Sequence, residues 1–207
     1  MNITVKISQT VTEEQQQDPR FKKQHQEASN FFNSPAHFTK KYRSLLCLHE
    51  AGHIVYARRA GASDVRFHSP TMYWCSGCPH CEGNTPSISR ASTSWTFPPN
   101  CEVTAALKAH IGGIVFREVL SDTSNDAAAV WSDTNGARNW YHEHVGLDED
   151  AFLRGVEAAR QEISKDLRSP EFKRLAWDTA REFEQAVFPA PKLTSSMLRA
   201  RRLGWMQ

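Results

Sequence analysis

His49-Glu50-Ala51-Gly52-His53 sets two imidazoles four residues apart, with a carboxylate directly after the first. On a helix, residues i and i+4 share a face, so both rings can reach one metal ion. Glu50 lies about 100° around the helix from His49, near enough to touch a water on that metal without ligating it. Zinc acidifies such a water, and a neighbouring carboxylate can take its proton and pass it to a leaving amine. The expected chemistry is zinc-dependent hydrolysis of a peptide bond, with His49 and His53 as ligands and Glu50 as general base. The longer pattern H-E-x-x-H-x-x-G-x-x-H fails because Tyr56 and Arg59 stand at its Gly and final His positions. This excludes a metzincin and sends the search for a third ligand far downstream.

A second set of metal-ligand types is Cys75, Cys78, Cys81 and Cys101, spaced C-x2-C-x2-C-x19-C. Two-residue spacing lets neighbouring thiolates converge, and Cys101, just after Asn100 at an expected helix N-terminus, should have a lowered pKa and ligate readily. The leading expectation is a second, structural zinc that pins the loop at 75–101. An iron–sulfur cluster, inert thiols and disulfides are the alternatives. Cys78-Pro79-His80-Cys81 is similar to the active-site arrangement of thiol oxidases, but no βαβ pattern surrounds it. Cys47 reads as a buried apolar residue.

The elements that must position these groups follow from periodicity. A helix from about Phe38 to Ala60 carries the H-E-A-G-H run, with an apolar stripe of Leu45, Leu48, Ile54 and Val55 and a stop at Gly61. Val65–Trp74 and Ser94–Phe97 read as strands around the cysteine loop. A second helix is expected from Asn100, as N-cap, to about Leu120. Its Gly112-Gly113 pair costs roughly 1 kcal/mol per glycine against alanine, which implies a close packing partner. Further helices are expected within Asn125–Val145, over Glu149–Leu167 and over Glu171–Val187, with a short basic one over Leu193–Leu203. Residues 1–37 are polar and Gln-rich. They read as a loosely ordered or accessory segment, or as an edge strand at Ile3–Ile7 followed by a solvated linker. The fold class expected is mainly α with a small β element, the functional domain spanning 38–207.

Leu46 to Val55 resembles the H-E-A-G-H-A-V helix of FtsH-type zinc metalloproteases. His110-Ile111-Gly112-Gly113-Ile114-Val115-Phe116-Arg117-Glu118 is similar to that family's Leu-Gly-Gly-Arg-x-x-Glu-Glu helix, with Arg117 in place of the first glutamate. Trp131-Ser132-Asp133-Thr134-Asn135-Gly136-Ala137 resembles its S-x-D-x-x-x-A segment, and Lys192-Leu193-Thr194-Ser195 its closing segment. The resemblance implies a helical zincin-like peptidase domain in which an aspartate completes the zinc site. Asp133 is favoured, since Ala137 follows it as in the family motif. Asp126, in Ser124-Asn125-Asp126, is the alternative, and Glu118 the next candidate. The family's ATPase module and membrane anchor have no counterpart in the sequence, so a free-standing protease-like domain is expected, acting on peptide or unfolded protein.

Among 207 residues, 40% are hydrophobic and 23% charged, enough to bury a core and inconsistent with wholesale disorder. A net charge of +2 gives no ground for nucleic acid or an anionic membrane as partner. No apolar run approaches a membrane span or a signal peptide, so a cytoplasmic protein is expected. His142 and His144 fall on different helix faces and read as exposed, as does His68. His110 reads as packed, and Trp131, Trp140 and Trp177 read as core. The competing function is a non-catalytic zinc-stabilised module whose cysteine-rich loop binds a partner. Glu50 separates the two, because a purely structural site has no use for that carboxylate.

Overall fold

The structure is a computed structural model and describes residues 3–75, 85–121, 123 and 127–189, without the Ala128 side chain. Among them are β1 (Lys6–Ile7), α1 (Glu13–Gln17), α2 (Pro19–Asn33), α3 (Lys40–Arg59), β2 (Ser63–His68), β3 (Thr71–Cys75), β4 (Thr85–Ser89), β5 (Ser92–Thr96), α4 (Val103–Ser121), α5 (Ala127–His144), α6 (Glu149–Asp166) and α7 (Pro170–Val187). The chain is mainly helical with a small β component. No described helix is long and apolar enough to cross a membrane.

The helix carrying the motif starts where Thr39 accepts the Tyr42 amide through its side chain, and its residues from Cys47 to Ala57 are all buried. Its core partner is α4, itself buried from Ile111 to Phe116. Asp148 and Ser169 cap α6 and α7 in the same way, and Pro170 occupies the first turn of α7. Phe116, Phe152, Ile163 and Phe183 are fully buried between these helices.

The single strand expected over Val65–Trp74 is two strands in different sheets. β2 pairs antiparallel with β5, whereas β3 lies between parallel β1 and antiparallel β4. The break falls at Ser69-Pro70, where proline has no amide to continue a ladder. The Pro70 carbonyl instead accepts the Lys6 amide at 2.8 Å.

The N-terminal segment differs from the loose or accessory stretch expected of it. Ile3, Val5, Val11, Phe21, Ala28 and Phe32 are buried. Phe21 stacks on Trp74 with centroids 6.1 Å apart, and Phe32 meets Phe38 at 5.0 Å. Asn33 clasps the chain start, accepting the Ile3 amide at 2.6 Å and donating to its carbonyl at 3.0 Å. The apolar positions of α2 are too sparse for the periodic signal: Phe21, Ala28 and Phe32 share one face, but Gln24 and His25 occupy the turn between them.

Candidate metal centre

Two helix backbones meet directly below the motif. A Cβ built on Gly52 would lie 2.2 Å from the Gly112 carbonyl oxygen, and one on Gly113 would lie 2.5 Å from His53 Nε2 and 2.9 Å from His49 Cε1. Only hydrogen fits at these places. The glycines let α3 and α4 approach, and Gly113 leaves the space that both imidazoles fill.

The His49 and His53 rings stand edge to face, 4.8 Å between centroids, with their Nε2 atoms 3.2 Å apart. From α5, Asp133 Oδ2 comes within 3.2 Å of His49 Nε2 and 3.4 Å of His53 Nε2. A tetrahedral zinc site with bonds of about 2.0–2.1 Å sets its ligand atoms about 3.3 Å apart. The three atoms therefore trace one face of such a tetrahedron. Among the described residues, this is the one group of His, Cys, Asp or Glu side chains that could hold a metal ion.

The surroundings suit that use. His53 Nδ1 lies 2.8 Å from the Ala109 carbonyl, which holds a proton there and makes Nε2 the nitrogen that would turn to a metal once its own proton is displaced. Asp133 Oδ2 and His49 Nδ1 are buried without a hydrogen-bond partner. An orphaned carboxylate oxygen facing two imidazole nitrogens is costly unless a cation joins them. Burial opposes charge on Asp133, yet His53 and His49 hold its carboxyl well below the usual carboxylate range. Burial likewise opposes charge on His53, but Asp133 outweighs it and pushes the imidazole up to about 9. The donor set, two nitrogens and a carboxylate oxygen, fits a four-coordinate zinc whose fourth ligand would not come from these side chains.

Glu50 is buried but stands outside the ligand triangle. Thr93 on β5 donates its hydroxyl to Glu50 Oε2. Two residues on, Trp95 stacks over His53 at 5.8 Å with 25° between planes. One strand thus steadies the carboxylate and covers one imidazole. Neither Thr93 nor the Ala109 carbonyl carries a sequence signal. Trp95 lies in the strand expected over Ser94–Phe97, but nothing there pointed to His53.

Glu118, the reserve ligand, is paired with Arg160 and is not part of the cluster. Asp126, Cys78, Cys81 and the Lys192–Ser195 segment lie outside the described residues. Cys75 and Cys101 are half-buried free thiols. The lowered pKa expected of Cys101 is not found. Its helix begins two residues later, at Val103, and burial together with Glu102 pushes the thiol up. Cys47 is buried, and its thiol is raised by that burial.

His68 is exposed and bonded to Ser94 Oγ at 2.7 Å. His142 faces Glu149 at 3.6 Å, while the exposed His144 donates from Nδ1 to the Trp140 carbonyl at 2.9 Å. His110 packs among Trp95, Phe97 and Trp140, where burial and nearby His53 push its imidazole down to about 4 against the pull of Asp133. Trp140 packs against the core, but Trp131 and Trp177, expected inside, are 37% and 40% exposed. Helical spacing does not say which face meets the core.

Compared with protein-family models, with curated proteins and with solved structures, the chain has no match.

Proposed function

We propose that this protein is a zinc-dependent peptidase in which His49, His53 and Asp133 hold the metal and Glu50 is the general base. The observation that carries the reading is the near-equilateral triangle of His49 Nε2, His53 Nε2 and Asp133 Oδ2 with a buried carboxylate beside it. The chemistry such a metal supplies when bound is polarisation of a scissile carbonyl and acidification of a water.

The chain's own groups divide the remaining work. Donation from His53 Nδ1 to Ala109 keeps Nε2 free to ligate, and the ionised Asp133 contributes negative charge to the site. With Oε2 engaged by Thr93, Glu50 presents Oε1 to accept a proton from the attacking water and return it to the leaving amine. Trp95 shields one side of His53 from solvent. The resemblance of the H-E-A-G-H and Gly-Gly segments to FtsH-type proteases supports the same reaction class, with peptide or unfolded polypeptide as substrate.

The test is Glu50→Gln, assayed on labelled unfolded casein with zinc content measured in parallel. The variant should keep its zinc and lose hydrolysis by ~10²–10⁴-fold. Equal cleavage by parent and variant, or loss of the metal with the carboxylate, would overturn the assignment.

A further inference from the structure

Beside the ligand triangle, aromatic side chains form a continuous strip. It begins at Trp95, stacked on His53, and passes to Phe97 at 6.0 Å and from Phe97 to Trp140 at 5.7 Å. The His110 ring closes the inner side, 5.4 Å from Trp95 and 5.8 Å from Phe97. Trp95, Phe97 and Trp140 are each only partly buried where they pack against the core, and His144 stacks on the Trp140 indole at 4.7 Å. Two elements build the strip. Trp95 and Phe97 alternate along and just past β5, while Trp140 lies two turns beyond Asp133 on α5. Asp133, Gly136, Ala137 and Trp140 share one helical face, so the element that brings the carboxylate to the imidazoles also brings this indole alongside.

We propose that Trp95, Phe97 and Trp140 form a side-chain subsite of the metal centre, which selects polypeptides carrying a large, flat apolar residue next to the scissile bond. The inference rests on the metallopeptidase reading and adds a substrate class to it. A bound phenyl or indole ring would meet these rings edge-to-face or offset-stacked, contacts that a methyl group cannot reproduce. Continuity with His53 sets the location, because a side chain on this strip belongs to a residue whose backbone lies at the metal.

The test uses the full chain loaded with one equivalent of zinc and three probes: acetohydroxamic acid, N-acetyl-alanine hydroxamate and N-acetyl-phenylalanine hydroxamate. Dissociation constants are read by titration calorimetry. The phenylalanine probe should bind at least about tenfold tighter than the alanine probe. Phe97→Ala and Trp140→Ala should each bring that ratio to within about twofold, leaving acetohydroxamic acid binding unchanged. Phe97→Leu, which keeps apolar bulk without a ring, should fall between. A ratio near one in the parent protein overturns the subsite whatever the variants do, as does a ratio that survives both alanine substitutions. A chain that binds zinc and acetohydroxamic acid without preference loses only the subsite. A chain that binds neither loses the metal centre as well.

Discussion

Gly52 and Gly112 meet backbone to backbone: a Cβ on Gly112 would lie 2.5 Å from the Gly52 carbonyl oxygen, and one on Gly52 would lie 2.2 Å from that of Gly112. The contact sets how closely α3 and α4 approach, and so the depth at which His49 and His53 sit. It also explains why a costly glycine stands in the buried stretch of each helix.

Gly52→Ala is therefore expected to destabilise the protein by about 3 kcal/mol, the upper range for overpacking, even though alanine favours helix by about 1 kcal/mol. Gly113→Ala would drive a methyl group into both imidazoles and lower zinc affinity at least tenfold. Denaturant unfolding and zinc titration measure the two effects. An alanine at 52 as stable as the parent would disprove the contact.

Zinc should raise the unfolding temperature of the parent, since a ligand at about a hundred times its Kd adds about 2.7 kcal/mol. His49→Ala and Asp133→Asn should abolish that rise, whereas Asp126→Asn should keep it. Scanning calorimetry with and without zinc decides. A zinc-dependent rise in Asp133→Asn that equals the parent's would remove Asp133 from the site.

Thr93→Val leaves a buried carboxylate oxygen of Glu50 without its donor at nearly constant volume, which costs about 1–3 kcal/mol. Turnover should fall with it, and Thr93→Ser should restore both. Zinc content should stay constant across the three proteins. If valine and serine behave alike, the hydroxyl has no role in placing Glu50.

Removing residues 1–37 would uncover Met72, Trp74 and Phe38 and delete two buried phenylalanines, each contributing about 1.5–3 kcal/mol. The truncated chain should lose cooperative thermal unfolding, followed by near-ultraviolet circular dichroism. A truncated protein that melts like the parent would show this segment to be an accessory after all.

Much of the scaffold was legible because it is written in local periodicity. Expected bounds near Phe38–Ala60 and Glu171–Val187 compare with the observed Lys40–Arg59 and Pro170–Val187, since capping residues and apolar spacing act over a single turn. The H-E-A-G-H run announced a shared face for two imidazoles for the same reason. The sequence alone thus determined the mainly helical character, the partnering of His49 with His53 and the need for a close neighbour at Gly112-Gly113. Tertiary structure decided what local rules do not reach. The packing of α5 on α4 put Asp133 Oδ2 within 3.4 Å of both imidazoles, and β5 brought Thr93 to Glu50 and Trp95 to His53. These partners are separated by some forty to eighty residues, and no spacing along the chain encodes contacts that exist only once the helices and strands have packed.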